Sequence, residues 1–386
     1  MSGEPFVLPP ELGEFRSAVR SICEDRLAKR AAEIDEQDEY PWDVHEIFVE
    51  HDLMAVGYPE EHGGAGGGSL TMAVMIEEIA RVSASASLIP LVSRLGAIPV
   101  MLEGSDRQKD ELLGGISRGE HQMSYALTEP GAGSDAGSMR TRYERTDPGF
   151  RLSGTKRFIT NAGASDRYTV FATRDPDQRT KAISAFVVRS DDPGFSVGKS
   201  ERKMGIRGSP TREVYLENVD IPGDRLIGEE GQGFSHAMRT LDYSRPTIAA
   251  QALGIAQGAF DVAARYAAER EQFGKPISEL QGIQFLLADM AIQVEAARLL
   301  VYRAASACDS ADKALTYFAS IAKAHASDTA MQVTTDAVQV LGGYGYMREY
   351  GVERMMRDAK ITQLYEGTNQ VQRLVIARQV LRSLGS

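Results

Sequence analysis

The feature that most constrains the fold is a set of long helical patterns in the second half of the chain. Apolar residues recur at helical spacing in QGFSHAMRTLDYSRPTIAAQALGIAQGAFDVAARYAAER, ISELQGIQFLLADMAIQVEAARLLVYRAASACDS and KALTYFASIAKAHASDTAMQVTTDAVQVLGG. A shorter helical segment, NQVQRLVIARQVLRSL, follows them. Long helices with short connections pack antiparallel, so we predict a C-terminal four-helix bundle over residues 233–386.

The two preceding regions of the chain differ from each other in residue pattern. Residues 1–122 place apolar side chains at helical spacing, for example in SLTMAVMIEEIARVSA, and predict an N-terminal helical domain. Residues 123–232 carry short segments rich in β-branched and aromatic residues, such as RYTVFATR and AISAFVVR, between Gly, Pro and Asp turns. This spacing predicts an antiparallel β-barrel or sandwich rather than a βαβ sheet, so the chain is predicted to be mainly α with a central β domain.

Charge and hydropathy exclude some classes of protein. The 386 residues carry a formal net charge of -11, and residues 241–386 hold 15 acidic and 15 basic side chains. A nucleic-acid binder normally presents a basic surface, so no nucleic-acid partner is predicted. No stretch approaches ~18 uninterrupted apolar residues, which predicts no membrane span.

The cysteines and histidines predict no metal site. Cys23 and Cys308 are the only cysteines, and the 6 histidines show no HxxxH pairing. Two isolated thiols form neither a disulfide framework nor a metal cluster, and they fit a reducing compartment. The start MSGEPFVLPP lacks a basic region followed by an apolar run, so we expect no secretory signal and a cytoplasmic location.

A glycine-containing loop, GAGSDA at residues 131–136, fits the dinucleotide pattern G-x-G-x-x-A. A Rossmann unit is not predicted, because further β segments follow the loop where a helix should begin. The loop is nevertheless suited to an anionic ligand. Gly131 and Gly133 let backbone amides approach a ligand closely, and Thr128 and Ser134 offer hydroxyl groups.

A charged pair in the first long helix has two interpretations. Asp242 and Arg245, in LDYSRP, are three residues apart and therefore share one helix face. They form either an intrahelical ion pair or a polar patch that holds a ligand. The sequence alone leaves both interpretations open.

The strongest candidate for chemistry is the carboxylate of Glu366, in ITQLYEGTNQVQR. It lies at a glycine-broken turn among apolar residues, and we expect amides and hydroxyls around it rather than a nearby cation. A desolvated carboxylate has a raised pKa, which suits a base that works near neutral pH. The preceding segment at residues 339–358, dense in Gly, aromatic and charged residues, indicates a functional loop.

Two longer motifs resemble a known family. ALTEPGAGSDAGS (126–138) agrees with the first signature of the acyl-CoA dehydrogenase family of FAD enzymes at every position, and QVLGGYGYMREYGVERMMRD (339–358) agrees with the second. KRFITNAG, ERKMGIRGSPT, REQFGKPISELQGIQF and YEGT extend the resemblance over nearly the whole chain. It implies the fold of that family, FAD as cofactor, an acyl-CoA substrate, an electron-transfer flavoprotein as partner, and a homotetramer built as a dimer of dimers.

The resemblance also implies roles for individual residues. Glu366 corresponds to the base that removes the α-proton of the acyl thioester, whose carbonyl is polarised by a backbone amide and a flavin hydroxyl. The implied cofactor-binding residues in the same subunit are Tyr125, Leu127, Thr128, Gly133, Ser134, Phe158, Ile159, Thr160, Thr368 and Gln370. Those implied to reach the FAD of a neighbouring subunit are Arg270, Phe273, Gln281, Gln339 and Gly343. The implied substrate contacts are Ser134, Asp242, Arg245, Tyr365 and Gly367.

Two positions refine the expected function. Phe158 stands where many relatives carry Trp, and Ser244 stands where some branched-chain relatives carry their catalytic glutamate. The second feature resembles the straight-chain arrangement of the catalytic glutamate. The family resemblance implies conversion of an acyl-CoA into a trans-2-enoyl-CoA, and a short, medium or 2-methyl-branched acyl-CoA is the expected substrate. An acyl-CoA oxidase that uses O2 is the alternative. A DNA-binding flavoprotein of the same family is a remote alternative. The zero net charge of residues 241–386 and the presence of the YEGT motif argue against it.

Overall fold

The structure is a computed structural model that describes residues 8–384. Residues 1–7, which contribute to the expectation of no secretory signal, lie outside the described part of the chain, as do residues 385–386. The predicted domain boundary at 122/123 lies in the connection before the first strand, and that at 232/233 lies directly before the longest helix. The division into domains itself stays a prediction.

The N-terminal region is helical, as predicted. Ser105 begins the last of its helices with a capping box, in which its hydroxyl accepts from the Gln108 N–H and the Gln108 side chain accepts from the Ser105 N–H. The helix at Trp42–Glu50 was missed in the sequence because it is short. The helices are α1 (Pro10–Ile22), α2 (Ala31–Gln37), α3 (Trp42–Glu50), α4 (Ser69–Val82), α5 (Ala84–Glu103) and α6 (Asp106–Ser117).

Helix α5 is the one helix among the described residues that is long and apolar enough to cross a membrane. Its best window has a mean hydropathy of 1.5, and 83% of that window is buried inside the fold. Such burial is typical of a core helix, which needs an apolar surface on all sides.

The central region folds into a sheet whose strands follow the order β6-β7-β3-β2-β4-β5-β8, with β1 beside β4. The strands are β1 (Met123–Ala126), β2 (Arg142–Arg145), β3 (Gly149–Thr160), β4 (Arg167–Thr173), β5 (Ile183–Arg189), β6 (Phe195–Val197), β7 (Thr211–Pro222) and β8 (Leu226–Ile227). The predicted fold class is confirmed with two refinements. The sheet is not closed, and β4 pairs in parallel with β1 and with β2, so the sheet is not purely antiparallel.

Both faces of the central strands are buried. In β4, Tyr168 and Val170 point into a core within the sheet region, whereas Phe171 belongs to the main core shared with the helices. Successive side chains of a strand point to opposite faces, so one strand serves both cores. The sheet is therefore fixed against the helices that carry the rest of the candidate site.

The C-terminal region forms the predicted helix bundle. Helix α7 runs without interruption for 37 residues even though Pro246 lies inside it, and it packs against α4, α8 and α9. A two-stranded hairpin separates α7 from α8, and the short helix α10 supplements the four predicted helices. The elements are α7 (Gly233–Glu269), β9 (Glu271–Gln272), β10 (Lys275–Pro276), α8 (Gln281–Asp309), α9 (Leu315–Leu341), α10 (Val352–Thr362) and α11 (Asn369–Leu384).

Two glycines one helical turn apart allow α7 to cross α4 closely. A Cβ at Gly254 would overlap the carbonyl oxygen of Glu77, and a Cβ at Gly258 would overlap that of Arg81. These are backbone atoms of a packed helix, so they cannot move aside cheaply. The crossing fixes α7, and with it the side chains that α7 contributes to the site.

We predict that Gly254→Ala lowers the free energy of unfolding by about 1–3 kcal/mol in urea denaturation, because overpacking outweighs the better helix propensity of Ala. Gly282→Ala is the matched control, since a Cβ there meets nothing within 4 Å; it should leave stability unchanged or raise it by up to about 1 kcal/mol. Equal changes in the free energy of unfolding for the two substitutions would contradict the close crossing of α7 and α4.

Candidate active site

Glu366 lies in a tight turn between α10 and α11. Its φ is 57°, and that of the following Gly367 is 87°. A left-handed conformation at a non-glycine residue is strained and persists only where the surroundings impose it. Asn369 N–H donates to the Gln363 carbonyl at 3.0 Å and so closes the turn. Thr368 caps α11 by accepting from the Val371 N–H at 3.3 Å.

The carboxylate of Glu366 is partly buried against α7. Ser244 Oγ donates to its Oε2 at 2.5 Å. The Glu366 carbonyl accepts from Arg245 Nε at 3.3 Å and from Gln372 Nε2 at 3.2 Å. The side chain and main chain of Glu366 are therefore held from separate directions.

Burial raises the pKa of Glu366, and this effect exceeds the opposing effects of Ser244, Arg245 and Lys323. The raised pKa agrees with the expectation for a desolvated base. The expectation of no nearby cation was wrong, because Arg245 and Lys323 both act on the carboxylate. These two cations lie 121 and 43 positions away in sequence, and only the packing of α7 and α9 brings them to the turn.

Asp242 and Arg245 form the intrahelical ion pair that their spacing allowed, with 2.8 Å between Asp242 Oδ1 and Arg245 Nη1. Thr316 Oγ1 also donates to Asp242, at 2.6 Å. Burial raises the pKa of Asp242 and lowers that of Arg245. Because Arg245 also reaches the Glu366 turn, the pair lies in the site; its predicted contact with substrate stays a prediction.

Tyr365 anchors the turn from the interior side. Its hydroxyl donates to Gln251 Oε1 on α7, and Gln251 Nε2 donates to Ser87 Oγ at 2.9 Å and to the Ala84 carbonyl at 3.1 Å on α5. This chain of hydrogen bonds connects the candidate base to two core helices. The predicted substrate contact of Tyr365 stays a prediction.

The predicted flavin residues of the β domain lie together. The Arg157 N–H donates to the Thr128 carbonyl at 2.9 Å, which joins the loop after β1 to the end of β3. Gly131 and Gly133 are exposed, and a Cβ added at either would meet nothing within 4 Å. Of the remaining predicted residues here, Leu127 and Ile159 are buried, Tyr125 and Thr160 are partly buried, and Ser134 is exposed.

Phe158 presents its ring to solvent at the end of β3. The side chain is 58% exposed and its φ is 57°, and the Arg157 guanidinium lies 4.8 Å from the ring centroid. An exposed aromatic ring held by a strained backbone is a feature that clusters at ligand sites. It gives a flat ring system a surface to pack on.

Tyr125, in the strand that leads into this loop, lies between α7 and the surroundings of Glu366. Its hydroxyl donates to the Ala237 carbonyl of α7 at 3.4 Å. Burial raises its pKa well above the usual value, and the charge of Glu366 acts in the same direction. The β-domain loop and the candidate base therefore lie close to each other across the start of α7.

A buried ion pair that the sequence analysis missed holds the loop. Lys156 Nζ contacts Glu129 Oε1 at 2.7 Å and donates to the Leu127 carbonyl at 3.2 Å. Glu129 also accepts from the backbone N–H groups of Arg140 and Thr141, at 2.6 and 2.9 Å. Burial lowers the pKa of Lys156 to about 8. Glu129 lies within the first motif and Lys156 within KRFITNAG, so both motifs carried the signal.

A second group of predicted cofactor residues lies at the far end of α7. Arg270 follows the last residue of α7, 26 residues after Ser244, which is about 39 Å along a helix. Phe273 is 90% exposed in the hairpin turn, and Gln281, Gln339 and Gly343 are also exposed. Within one chain this group therefore does not reach the space beside Glu366.

Two charged residues of the second motif, Arg357 and Asp358, make contacts that hold the fold together. Arg357 pairs with Asp35 at 2.7 Å, and Asp358 Oδ1 accepts from the Ile206 N–H at 2.6 Å. Burial raises the pKa of Asp358 to about 6. These contacts fasten α10 to the N-terminal region and to the loop before β7, so they support the site without forming it.

The donor set fits FAD. Exposed backbone at a glycine loop suits a pyrophosphate, and the Phe158 ring suits a flat aromatic system. Among residues 8–384, no group of three or more His, Cys, Asp or Glu side chains is placed to hold a metal ion.

Fold and site together define an oxidoreductase. Three family models match the chain: the acyl-CoA dehydrogenase N-terminal domain at residues 9–120, the middle domain at 124–219 and the C-terminal domain at 231–381. The chain therefore belongs to the acyl-CoA dehydrogenase family, whose members are FAD enzymes.

Named relatives agree with this family. A probable acyl-CoA dehydrogenase, FadE25, of Mycobacterium tuberculosis is 52% identical over 377 residues, which cover 98% of this chain and 97% of the relative. Butyryl-CoA dehydrogenase from Megasphaera elsdenii superposes with a TM-score of 0.95 at 41% identity, over 98% of this chain and 100% of that one. A chain from work on the electron transferring flavoprotein of Acidaminococcus fermentans superposes with a TM-score of 0.96 at 42% identity, over 98% and 100%.

We predict that Lys156→Met lowers the free energy of unfolding by about 3–5 kcal/mol, because it leaves Glu129 buried and uncompensated. Bound flavin per chain, measured by absorbance, should fall with it, since the same pair holds the loop. Lys199→Met, at an exposed position of the same region, is the control. Adding Glu129→Gln to Lys156→Met should recover part of the lost stability; no recovery would contradict the pairing.

Proposed function

We propose that this protein is an FAD-dependent acyl-CoA dehydrogenase in which Glu366 removes the α-proton of an acyl-CoA and the product is a trans-2-enoyl-CoA. When bound, FAD supplies the acceptor, at flavin N5, for the hydride that leaves the β-carbon. The observation that carries the proposal is the partly buried carboxylate of Glu366, held by Ser244 on α7 beside the loop that follows β1.

The residues of the turn provide what proton removal needs. The α-proton of a thioester is very weakly acidic, so the base must be strong and the developing negative charge on the carbonyl oxygen must be stabilised. Burial raises the pKa of Glu366 and so strengthens it as a base. Among the described residues, the N–H of Glu366 donates to no acceptor and is free for a thioester oxygen. A donor at such an oxygen contributes about 10²–10³ in rate.

Ser244 supports the straight-chain type of catalytic glutamate. Its hydroxyl donates to Glu366, so the position that carries a base in some relatives here orients the base at 366. We propose a short or medium acyl-CoA, straight or 2-methyl-branched, as the substrate, and the similarity to a butyryl-CoA dehydrogenase favours the short end. Acyl-CoAs from C4 to C16, assayed with an artificial acceptor, test this class.

The distal cofactor residues support a homo-oligomer. Arg270 and Phe273 are remote from Glu366 within one chain, yet they lie on an exposed, partly aromatic surface with Tyr344, whose ring centroid is 5.4 Å from the Arg270 guanidinium. We propose that they hold the FAD of a neighbouring subunit in a dimer of dimers. Substrate contacts from Asp242, Arg245 and Gly367 complete each site from its own chain.

The proposed electron acceptor is an electron-transfer flavoprotein in the cytoplasm. The similarity to a chain from work on such a flavoprotein supports this partner. An acyl-CoA oxidase would instead reduce O2, so the yield of peroxide against transfer to the flavoprotein separates the two functions. The remote alternative, a DNA-binding flavoprotein, predicts that the protein shifts DNA in a gel and that the shift weakens as the salt concentration rises.

We expect Glu366→Gln to retain FAD but to reduce the flavin about 10²–10⁴-fold more slowly when acyl-CoA is added anaerobically, because the amide cannot accept the α-proton. Stopped-flow bleaching of the flavin measures the rate. Glu217→Gln, at an exposed glutamate on β7 and outside the site, is the matched control and should bleach at the wild-type rate. If Glu366→Gln reduced the flavin at the wild-type rate, Glu366 would not be the base.

Complementation between subunits tests the proposed oligomer. Arg270→Ala and Glu366→Gln should each be nearly inactive alone. In a mixed dimer, one site receives the intact Glu366 of its own chain and the intact Arg270 of the other chain. Co-expression should therefore restore about a quarter of the wild-type activity per site, the fraction that random pairing gives. Absence of any restoration would show that Arg270 acts within its own subunit.

A further inference from the structure

Lys323 is a buried cation beside the candidate base that the proposed chemistry does not use. It lies on α9 with 0% of its surface exposed. Its ammonium donates to the Gly367 carbonyl at 2.8 Å and to Asn369 Oδ1 at 3.0 Å. Burying an ammonium is costly unless it is hydrogen-bonded and paired. Both hydrogen bonds go to the turn that carries Glu366, so the turn is the feature that this buried charge serves.

The charged groups around Lys323 leave Glu366 as its natural counter-ion. Arg245 faces it from α7 with the same sign of charge and is paired with Asp242. Asp328 faces it from its own helix, but the oxygens of Asp328 accept from Gln363, Asn369 and Arg373, each at 2.7 Å. Burial lowers the pKa of Lys323 to about 7, and the largest effect that keeps it protonated is the charge of Glu366.

We propose that Lys323 is a positioning residue for Glu366: its ammonium holds the Gly367 carbonyl and Asn369, which fixes the left-handed turn, and its positive charge keeps the buried carboxylate ionised. This inference rests on the proposed function only in naming Glu366 as the base. It adds a second role to the turn, because the strained backbone and the ionisation of the base then depend on the same buried ammonium.

The direction of the effect follows from the sign of the charge. A nearby cation favours the carboxylate form and lowers the pKa of Glu366. Without that cation, Glu366 is protonated over a wider range of low pH and fewer molecules hold a competent base. The loss of rate should therefore be largest at low pH and should diminish as the pH rises.

The chain offers variants that separate the charge from the hydrogen bonds. Lys323→Gln removes the charge and keeps a donor, and Lys323→Met removes both. Gln372 Nε2 donates to the same Gly367 carbonyl at 2.9 Å without any charge. Gln372→Met therefore weakens the turn without altering its electrostatics, which makes it the matched control for a purely structural role.

Two measurements on the FAD-loaded enzyme test the proposal. The rate of flavin reduction by butyryl-CoA is followed from pH 5.5 to 9 by anaerobic stopped flow. We expect Lys323→Gln to reduce the flavin about three- to tenfold more slowly than wild type at pH 6, which corresponds to a rise of about a half to one unit in the pKa of Glu366. At high pH the rate of the variant should approach that of wild type. Gln372→Met should be slower by a constant factor at every pH.

The second measurement does not need turnover. Infrared difference spectra between each protein and its Glu366→Gln counterpart report the carboxylate band of Glu366 as the pH changes. The midpoint should move to higher pH in Lys323→Gln and stay in place in Gln372→Met. If neither Lys323 variant folds, the infrared spectrum of the wild type still tests the proposal. A wild-type protein in which Glu366 is protonated at pH 7, with Lys323 intact, would overturn it.

The outcomes separate this inference from the proposed function. If no acyl-CoA bleaches the wild type, the dehydrogenase proposal fails, while the infrared midpoints still test Lys323. If the wild type bleaches but Lys323→Gln keeps the wild-type midpoint in both measurements, the electrostatic role of Lys323 is refuted and the dehydrogenase proposal stands.

Discussion

The site depends on one short turn that two long helices hold in a strained conformation. Glu366 and Gly367 both have positive φ, and neither α10 nor α11 alone would impose that geometry. Ser244 and Arg245 contact the turn from α7, and Lys323 contacts it from α9. The separation between these two helices therefore sets both the direction of the carboxylate and the charge around it.

Close helix packing makes such a turn possible. Because α7 crosses α4 through glycines and packs against α9 along much of its length, its polar residues are fixed relative to the turn. The β domain is attached to the same helix through Tyr125, whose hydroxyl reaches the Ala237 carbonyl. One long helix thus connects the candidate base, the glycine loop and, at its far end, the residues proposed to serve a neighbouring subunit.

Much of the fold could be predicted from the periodicity of apolar residues. The candidate base could be predicted from the residues next to it in the chain. The long helices and the central strands follow from patterns within each segment. The parallel pairing of β1 with β4 did not follow, because strand neighbours depend on contacts distant in sequence. The contacts by which Arg357 and Asp358 fasten α10 to other regions did not follow from the sequence either, because their partners are distant in the chain.

By itself, the sequence determined the order of helical, β and helical regions and the presence of a carboxylate at a glycine-broken turn, since both depend on residues close together in the chain. The tertiary structure alone decided what surrounds that carboxylate. Arg245 and Lys323 approach it from separate helices, and Lys156 on β3 pairs with Glu129 in the loop after β1. Electrostatic energy depends on distance in space and on burial, and neither quantity exists until the chain has folded.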